Sequence, residues 1–96
     1  MYARLTMFTL GPGTRPTAEK IADKFALVLK DRKGFKNVTF FMDEAGGEYG
    51  ALTLYESKDD AKAGIAVSEP KLQEILTDIV KKPPTLKLFE VYEPKL

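Results

Sequence analysis

The chain contains no cysteine, no histidine and no tryptophan. Without cysteine there is no disulfide staple and no thiolate ligand. The missing histidine removes the commonest general acid/base at neutral pH and the commonest metal ligand. A Ser-His-Asp triad, a zinc site of the usual kinds and a histidine-ligated haem are therefore ruled out within one chain. Charge of one sign is also lacking: Lys and Arg number 15 against 14 Asp and Glu, a net charge of +1. The longest like-charged runs are pairs, such as Lys81-Lys82 and Asp59-Asp60. A nucleic-acid binder shows a basic excess or stripe, so the balance argues against that partner. No long apolar run occurs. Met1-Tyr2-Ala3-Arg4 leads into a short alternating stretch, so neither a signal peptide nor a membrane span is expected. The expected setting is the cytoplasm, where the sequon Asn37-Val38-Thr39 is a chance match.

What is present is 96 residues, the length of a single domain spanning 1–96. A chain this short buries only about 60–65% of its unfolded surface, so covering a sheet face with a second subunit adds stability.

The apolar pattern predicts six elements. The first strand runs from Tyr2 to Leu10, apolar on both faces: Leu5 and Met7 on one, Phe8 and Leu10 on the other. Gly11-Pro12-Gly13 breaks it. This is no phosphate loop, because the later glycine is absent and the proline removes a donor. A helix starts near Pro16 or Thr17, with Ile21, Phe25, Val28 and Leu29 as its stripe and Gly34 as its C-terminal cap. Asn37 to Met42 reads as the second strand, with Val38, Phe40 and Met42 on one face. A hairpin over Asp43 to Glu48 leads to the third strand, Tyr49 to Tyr55. Ser57 caps a second helix, with Asp59 and Asp60 at the positive end of its dipole. Its stripe is Ala61, Ile65 and Val67. A restart at Ser68-Glu69-Pro70 is followed by Leu72, Ile75, Leu76 and Ile79, Lys81-Lys82 sit at the negative end, and Pro83-Pro84 stop it. Thr85 to Tyr92 is the last strand.

The order β-α-β-β-α-β is the ferredoxin-like α+β arrangement: two helices on one face of a four-stranded antiparallel sheet. The other face carries large apolar side chains with nothing of its own to cover it. A homodimer is the economical answer.

Five stretches carry a family resemblance. Gly34-Phe35 precedes the second strand. Leu52-Thr53-Leu54-Tyr55-Glu56-Ser57-Lys58-Asp59-Asp60-Ala61 joins the third strand to the second helix. Ser68-Glu69-Pro70-Lys71-Leu72, Lys82-Pro83-Pro84 and Leu88-Phe89-Glu90-Val91-Tyr92 complete it. Together they resemble the antibiotic-biosynthesis-monooxygenase family of dimeric α/β barrels, over nearly the whole chain. The resemblance implies two ferredoxin-like protomers packed sheet to sheet, with a small pocket in each between sheet and helices. It also implies oxidation of aromatic polyketides or quinols by O₂ without metal or flavin, or, in other members, haem degradation. A tryptophan often ends the third strand in that family, where this chain has Tyr55. Haem-degrading members place a histidine near the position of Ile65 and an asparagine on the first strand, where Met7 and Thr9 are nearest. All three departures remove polar function and argue against haem degradation. No cofactor and no metal are expected.

Tyr55 is the leading candidate for a catalytic residue, its hydroxyl orienting a phenolic or quinone-like ligand; its structural alternative is an aromatic packed under the second helix. Met7, Thr9, Phe25, Thr53 and Ile65 are the candidate substrate-binding residues, or else simply core. Arg4 reads either as an anion anchor or, preferably, as a cross-strand ion pair with Glu90 at the sheet rim. Asp43, Glu44 and Glu48 read as a solvated acidic turn, not a calcium loop. The leading function is thus a small-molecule-binding dimeric barrel, a cofactor-independent monooxygenase acting on an aromatic or quinol-type ligand. The alternative is a non-catalytic binding or assembly dimer with no open active site, and a third reading is an isomerase-like relative. What separates them is an open cavity near Tyr55 with a polar group in it.

Overall fold

A computed structural model describes residues 1–80 and 82–96; Lys81, expected at a helix terminus, lies outside the described residues. The elements are β1 (Tyr2–Thr9), α1 (Arg15–Leu29), β2 (Phe35–Asp43), β3 (Glu48–Tyr55), α2 (Lys58–Leu76) and β4 (Thr85–Glu90). The strands form one antiparallel sheet in the order β2-β3-β1-β4. This is the ferredoxin-like α+β fold.

Register follows the period-2 pattern. Arg4 pairs with Thr53 on β3 and with Leu88 on β4, and Phe8 pairs with Tyr49. The even residues of β1 face the helices, as do Tyr49, Ala51, Thr53 and Tyr55 of β3. Against them α1 packs Ala18, Ile21, Phe25 and Leu29, and α2 packs Leu72 and Leu76. Each buried leucine contributes about 2 kcal/mol of apolar transfer energy. Leu5, Met7, Leu52 and Leu54 occupy the other face, only half-buried, with Phe41 and Phe89 exposed.

Four local expectations are corrected. Helix α1 ends at Leu29 with Lys30 in the right-handed region at its C-cap. Gly34 (φ +76) instead turns the chain into β2, where Phe35 N–H donates to Arg32 C=O (3.1 Å) and Gly34 C=O accepts from Glu56 N–H (2.8 Å). Helix α2 does not restart at Pro70 but runs through it unbroken, and it ends at Leu76, so Lys82 lies well past its terminus. Its buried face is Ala61, Gly64, Ser68, Leu72 and Leu76, whereas Val67 and Ile79 are exposed. The reason is Tyr55, whose ring lies beneath α2 and admits only small residues above it. Strand β4 ends at Glu90, two residues short of Tyr92, which is exposed. The cap at Ser57 forms as expected, its Oγ accepting from Asp60 N–H at 3.1 Å.

Gly47 fixes the β2–β3 hairpin to the end of β1. It has φ +67, and its carbonyl accepts from Leu10 N–H at 2.9 Å. A Cβ there would collide with the Gly11 backbone. Gly47→Ala is expected to cost about 2 kcal/mol or more through strain and collision, and Ser57→Ala about 1 kcal/mol through loss of the cap. Urea unfolding midpoints measure both. An unchanged midpoint for Gly47→Ala would remove the hairpin anchor from this account.

Candidate functional site

Strand β1 places a guanidinium on the side of the sheet that faces the helices. Arg4 shares the helix-facing side with Phe8 and is only 7% exposed. Above it α2 brings Ile65 and Glu69, four residues apart and therefore on one face. Glu69 Oε2 stands 3.7 Å from Arg4 Nη2, with its own side chain 40% exposed. That distance exceeds the roughly 2.7–3.2 Å of an N–H···O hydrogen bond, so the pair is ionic but not locked. Among the described residues no hydrogen bond holds the guanidinium. The ion pair with Glu90 does not form: Glu90 lies opposite Tyr2, not Arg4, and is exposed at the end of β4.

Between α2 and β4 a groove of about 220 Å³ opens over this pair, lined by Arg4, Ile65, Glu69, Leu86, Lys87 and Leu88. Ile65, Leu86 and Leu88 give it apolar wall, Glu69 and Lys87 add one charge of each sign, and Arg4 lies at its floor. Burial pulls the Arg4 pKa below its ordinary value, while Glu69 and, to a lesser extent, Tyr55 pull it back. An arginine stays charged under such shifts. A guanidinium with no hydrogen bond to hold it has donors left over that an anion could take up.

Tyr55 sits beside the groove, not on its wall. It is 1% exposed, its ring edge-on to Phe35 at 6.5 Å, and its hydroxyl abuts Gly64 of α2. Burial pushes its pKa up; the charges of Arg4 and Arg32 and the Ser68 hydroxyl pull it down less strongly. The net shift is upward, so the phenol stays protonated at neutral pH and acts as a donor, not a base. Thr53 is buried next to Arg4 in the register. Thr53, Tyr55 and Ile65 are thus gathered around Arg4.

The other candidates lie elsewhere. Phe25 lines a separate cavity of about 20 Å³ under α1, with Phe8, Phe40, Tyr49 and Leu72. That is room for about one water-sized molecule. Met7 is on the opposite face of the sheet, against Gly50 and Phe41, and Thr9 shares that side. In the acidic turn, Glu44 pairs with Arg15 at 3.3 Å and Asp43 accepts from Gly46 N–H at 3.5 Å. Sequence reasoning missed Glu69. The signal for Arg4 was legible: it falls two full strand periods from Phe8, on the core-facing side. The signal for Glu69 was its spacing of four from Ile65.

Gly64 decides how closely α2 approaches Tyr55. A Cβ there would lie 2.7 Å from the Tyr55 ring and hydroxyl. Alanine gains about 1 kcal/mol over glycine in a helix, but overpacking a fully buried ring costs about 1–3 kcal/mol. Gly64→Ala is therefore expected to lower stability, by about 1 kcal/mol net, as read from chemical denaturation. A more stable variant would mean that Tyr55 has room to move.

No protein-family model matches the chain, and no curated protein matches it in sequence. Solved structures do match in shape. A cofactor-independent oxygenase from Streptomyces nogalater (SnoaB) superposes with a TM-score of 0.79 at 15% identity, covering 97% of this chain and 94% of that one. A monooxygenase of Streptomyces coelicolor, solved in complex with the ligand nanaomycin D, gives 0.79 at 17% identity, covering 99% and 90%. An antibiotic biosynthesis monooxygenase gives 0.75 at 9% identity, covering 97% and 100%. At these identities the shared property is the architecture, and this chain has the fold of the antibiotic biosynthesis monooxygenases.

Proposed function

We propose that the chain binds a small aromatic or quinol-type molecule over Arg4 and oxidises it with O₂, without metal or flavin, as a cytoplasmic homodimer. The observation that carries this reading is the nearly buried Arg4 guanidinium at the floor of a groove that Ile65, Leu86 and Leu88 line in part. Direct reaction with O₂ needs an electron-rich substrate anion. A fixed cation in a half-dry site lowers the energy of such an anion. Apolar walls from Ile65, Leu86 and Leu88 suit the faces of an aromatic ring.

The roles then divide by position. Arg4 holds the developing oxyanion. Tyr55, protonated and beside the groove, acts through Arg4 by packing and electrostatics, with Thr53 next to Arg4 in the register and Ile65 on the groove wall. The small apolar cavity around Phe25 is of a size and polarity to take O₂. Met7 and Thr9 face away from the groove and belong, in this reading, to the dimer interface. The overall step is R₂CH₂ + O₂ → R₂C=O + H₂O, which a quinol enters through the CH₂ of its keto tautomer and in which the substrate supplies all the electrons. Support for the chemistry comes from the shared fold with a cofactor-independent oxygenase. Support for the dimer comes from the uncovered sheet face, where Phe41 is 40% and Phe89 45% exposed.

Oxygen uptake with 1,4-dihydroxynaphthalene, corrected for spontaneous autoxidation, tests the chemistry. Wild type should exceed the blank. Arg4→Gln should lower the enzymatic rate about tenfold or more, the worth of a charged hydrogen bond. No uptake above the blank, or equal rates in both proteins, would sink the reading. Native mass spectrometry tests the assembly: a dimer is expected, and a clean monomer would leave the sheet face needing another explanation.

A further inference from the structure

Oxidation of this kind requires a proton to leave the substrate before O₂ can react, and the groove holds one carboxylate among its lining residues, Glu69. Other carboxylates and phenols are badly placed. Glu56 is exposed and paired with Lys36 at 3.8 Å, Glu90 is exposed at the tip of β4, and Tyr55 is held protonated by burial. We propose that Glu69 is the proton acceptor of the groove, and that Arg4 passes from Glu69 to the substrate's oxyanion as the proton moves. The inference rests on the reading of the groove as an oxidation site.

The geometry favours this exchange. Before transfer the groove contains two cations, Arg4 and Lys87, one carboxylate and a neutral substrate. Afterwards it contains the same two cations, a neutral carboxylic acid and a substrate anion. The net charge does not change, so a half-dry site takes no desolvation penalty from creating new charge. Protonation also cancels the attraction of Glu69 for Arg4, freeing the guanidinium at the moment the oxyanion forms. Because the pair stands at 3.7 Å, no hydrogen bond between the two has to be broken first. Glu69 is half-exposed, which lets it swing toward solvent and return the proton.

The steps balance. The C–H bond of the substrate breaks and its proton goes to Glu69, leaving the electron pair on the substrate. The carbanion reduces O₂ and a C–O bond forms, giving a peroxide anion that takes the proton back from Glu69. Glu69 then removes the second hydrogen as a proton, the C=O bond forms, the O–O bond breaks, and the departing hydroxide accepts that proton as water. One ketone and one water result from one CH₂ group and one O₂.

The test separates the base from the oxidation. Anthrone is incubated anaerobically with the full-length protein in D₂O, and loss of its CH₂ proton signal is followed by NMR against a protein-free blank. Wild type should accelerate exchange, and Glu69→Gln should lose about a hundredfold of that acceleration, the scale of a positioned general base. Salicylate, already ionised, should bind Glu69→Gln at least as tightly as wild type, because the competing carboxylate is gone, and should bind Arg4→Gln more weakly. Exchange at the wild-type rate in Glu69→Gln would overturn the proposal. So would O₂ consumption by wild type without accelerated exchange, while leaving the oxidation reading intact. Accelerated exchange without O₂ consumption would keep Glu69 as the base and remove the oxidation.

Discussion

A full positive charge lies in the layer between sheet and helices, and much of the arrangement around it follows from that constraint. Isolated burial of an ion is expensive, so the region over Arg4 cannot close into an ordinary apolar core. The floor of the layer is cationic at Arg4 and dry at Phe8, two strand periods along the same face of β1. Accordingly the packing is closed at one end and open at the other. Under α1 the space shrinks to about 20 Å³, whereas between α2 and β4 it remains about 220 Å³. An arginine serves better here than a lysine. It stays charged when buried and presents a planar fork to an anion.

The second constraint is the size of Tyr55. A large aromatic at the end of β3 forces the first half of α2 to present Ala61, Gly64 and Ser68, and the helix closes over the ring with almost no exposure left. That close approach carries Ile65 and Glu69 over the Arg4 side of the layer. Large apolar residues, Leu72 and Leu76, return where the helix passes over the main core. Helix α2 therefore does two jobs along its length: a thin lid over Tyr55, then an ordinary core helix. The burial of Leu72 and Leu76 also holds it helical past Pro70, whose missing N–H removes one bond to the Ala66 carbonyl.

The fold was legible because strand alternation, the Ser57 cap and the hairpin glycines each point the same way. Element order, strand faces and the uncovered side all followed from these signals. The misreadings share one cause. Gly34 and Pro70 read locally as punctuation, but tertiary contacts decide their roles: Gly34 meets the start of α2 through Asp60 and Glu56, and Pro70 rides in a helix anchored on both sides. Reading the stripe of α2 from hydrophobicity alone favoured Val67 over Gly64, because no one-dimensional pattern reveals a tyrosine beneath. Of the candidate residues, Tyr55, Thr53 and Ile65 fall together; Met7 and Thr9 do not, since odd and even positions of β1 face opposite sides of the sheet, and Phe25 lies under α1. Arg4 was seen, but assigned to Glu90 because both lie on neighbouring strands. The register sets Glu90 opposite Tyr2 instead.

The choice of Glu69 as partner for Arg4 has a consequence for stability and for binding at once. A cross-strand pair at the rim would have been solvated and of little energetic weight. A pair from strand to helix spans the two layers, so it contributes to holding α2 on the sheet while leaving the groove between them unfilled. Well-packed apolar residues at both positions would match or exceed its stability, so stability alone does not favour an ion pair there. What the pair supplies is a cation kept in place, with a partner that can leave. Under the proposed reading, an incoming anion would meet a site already charged and partly dry, and would need little reorganisation of the fold.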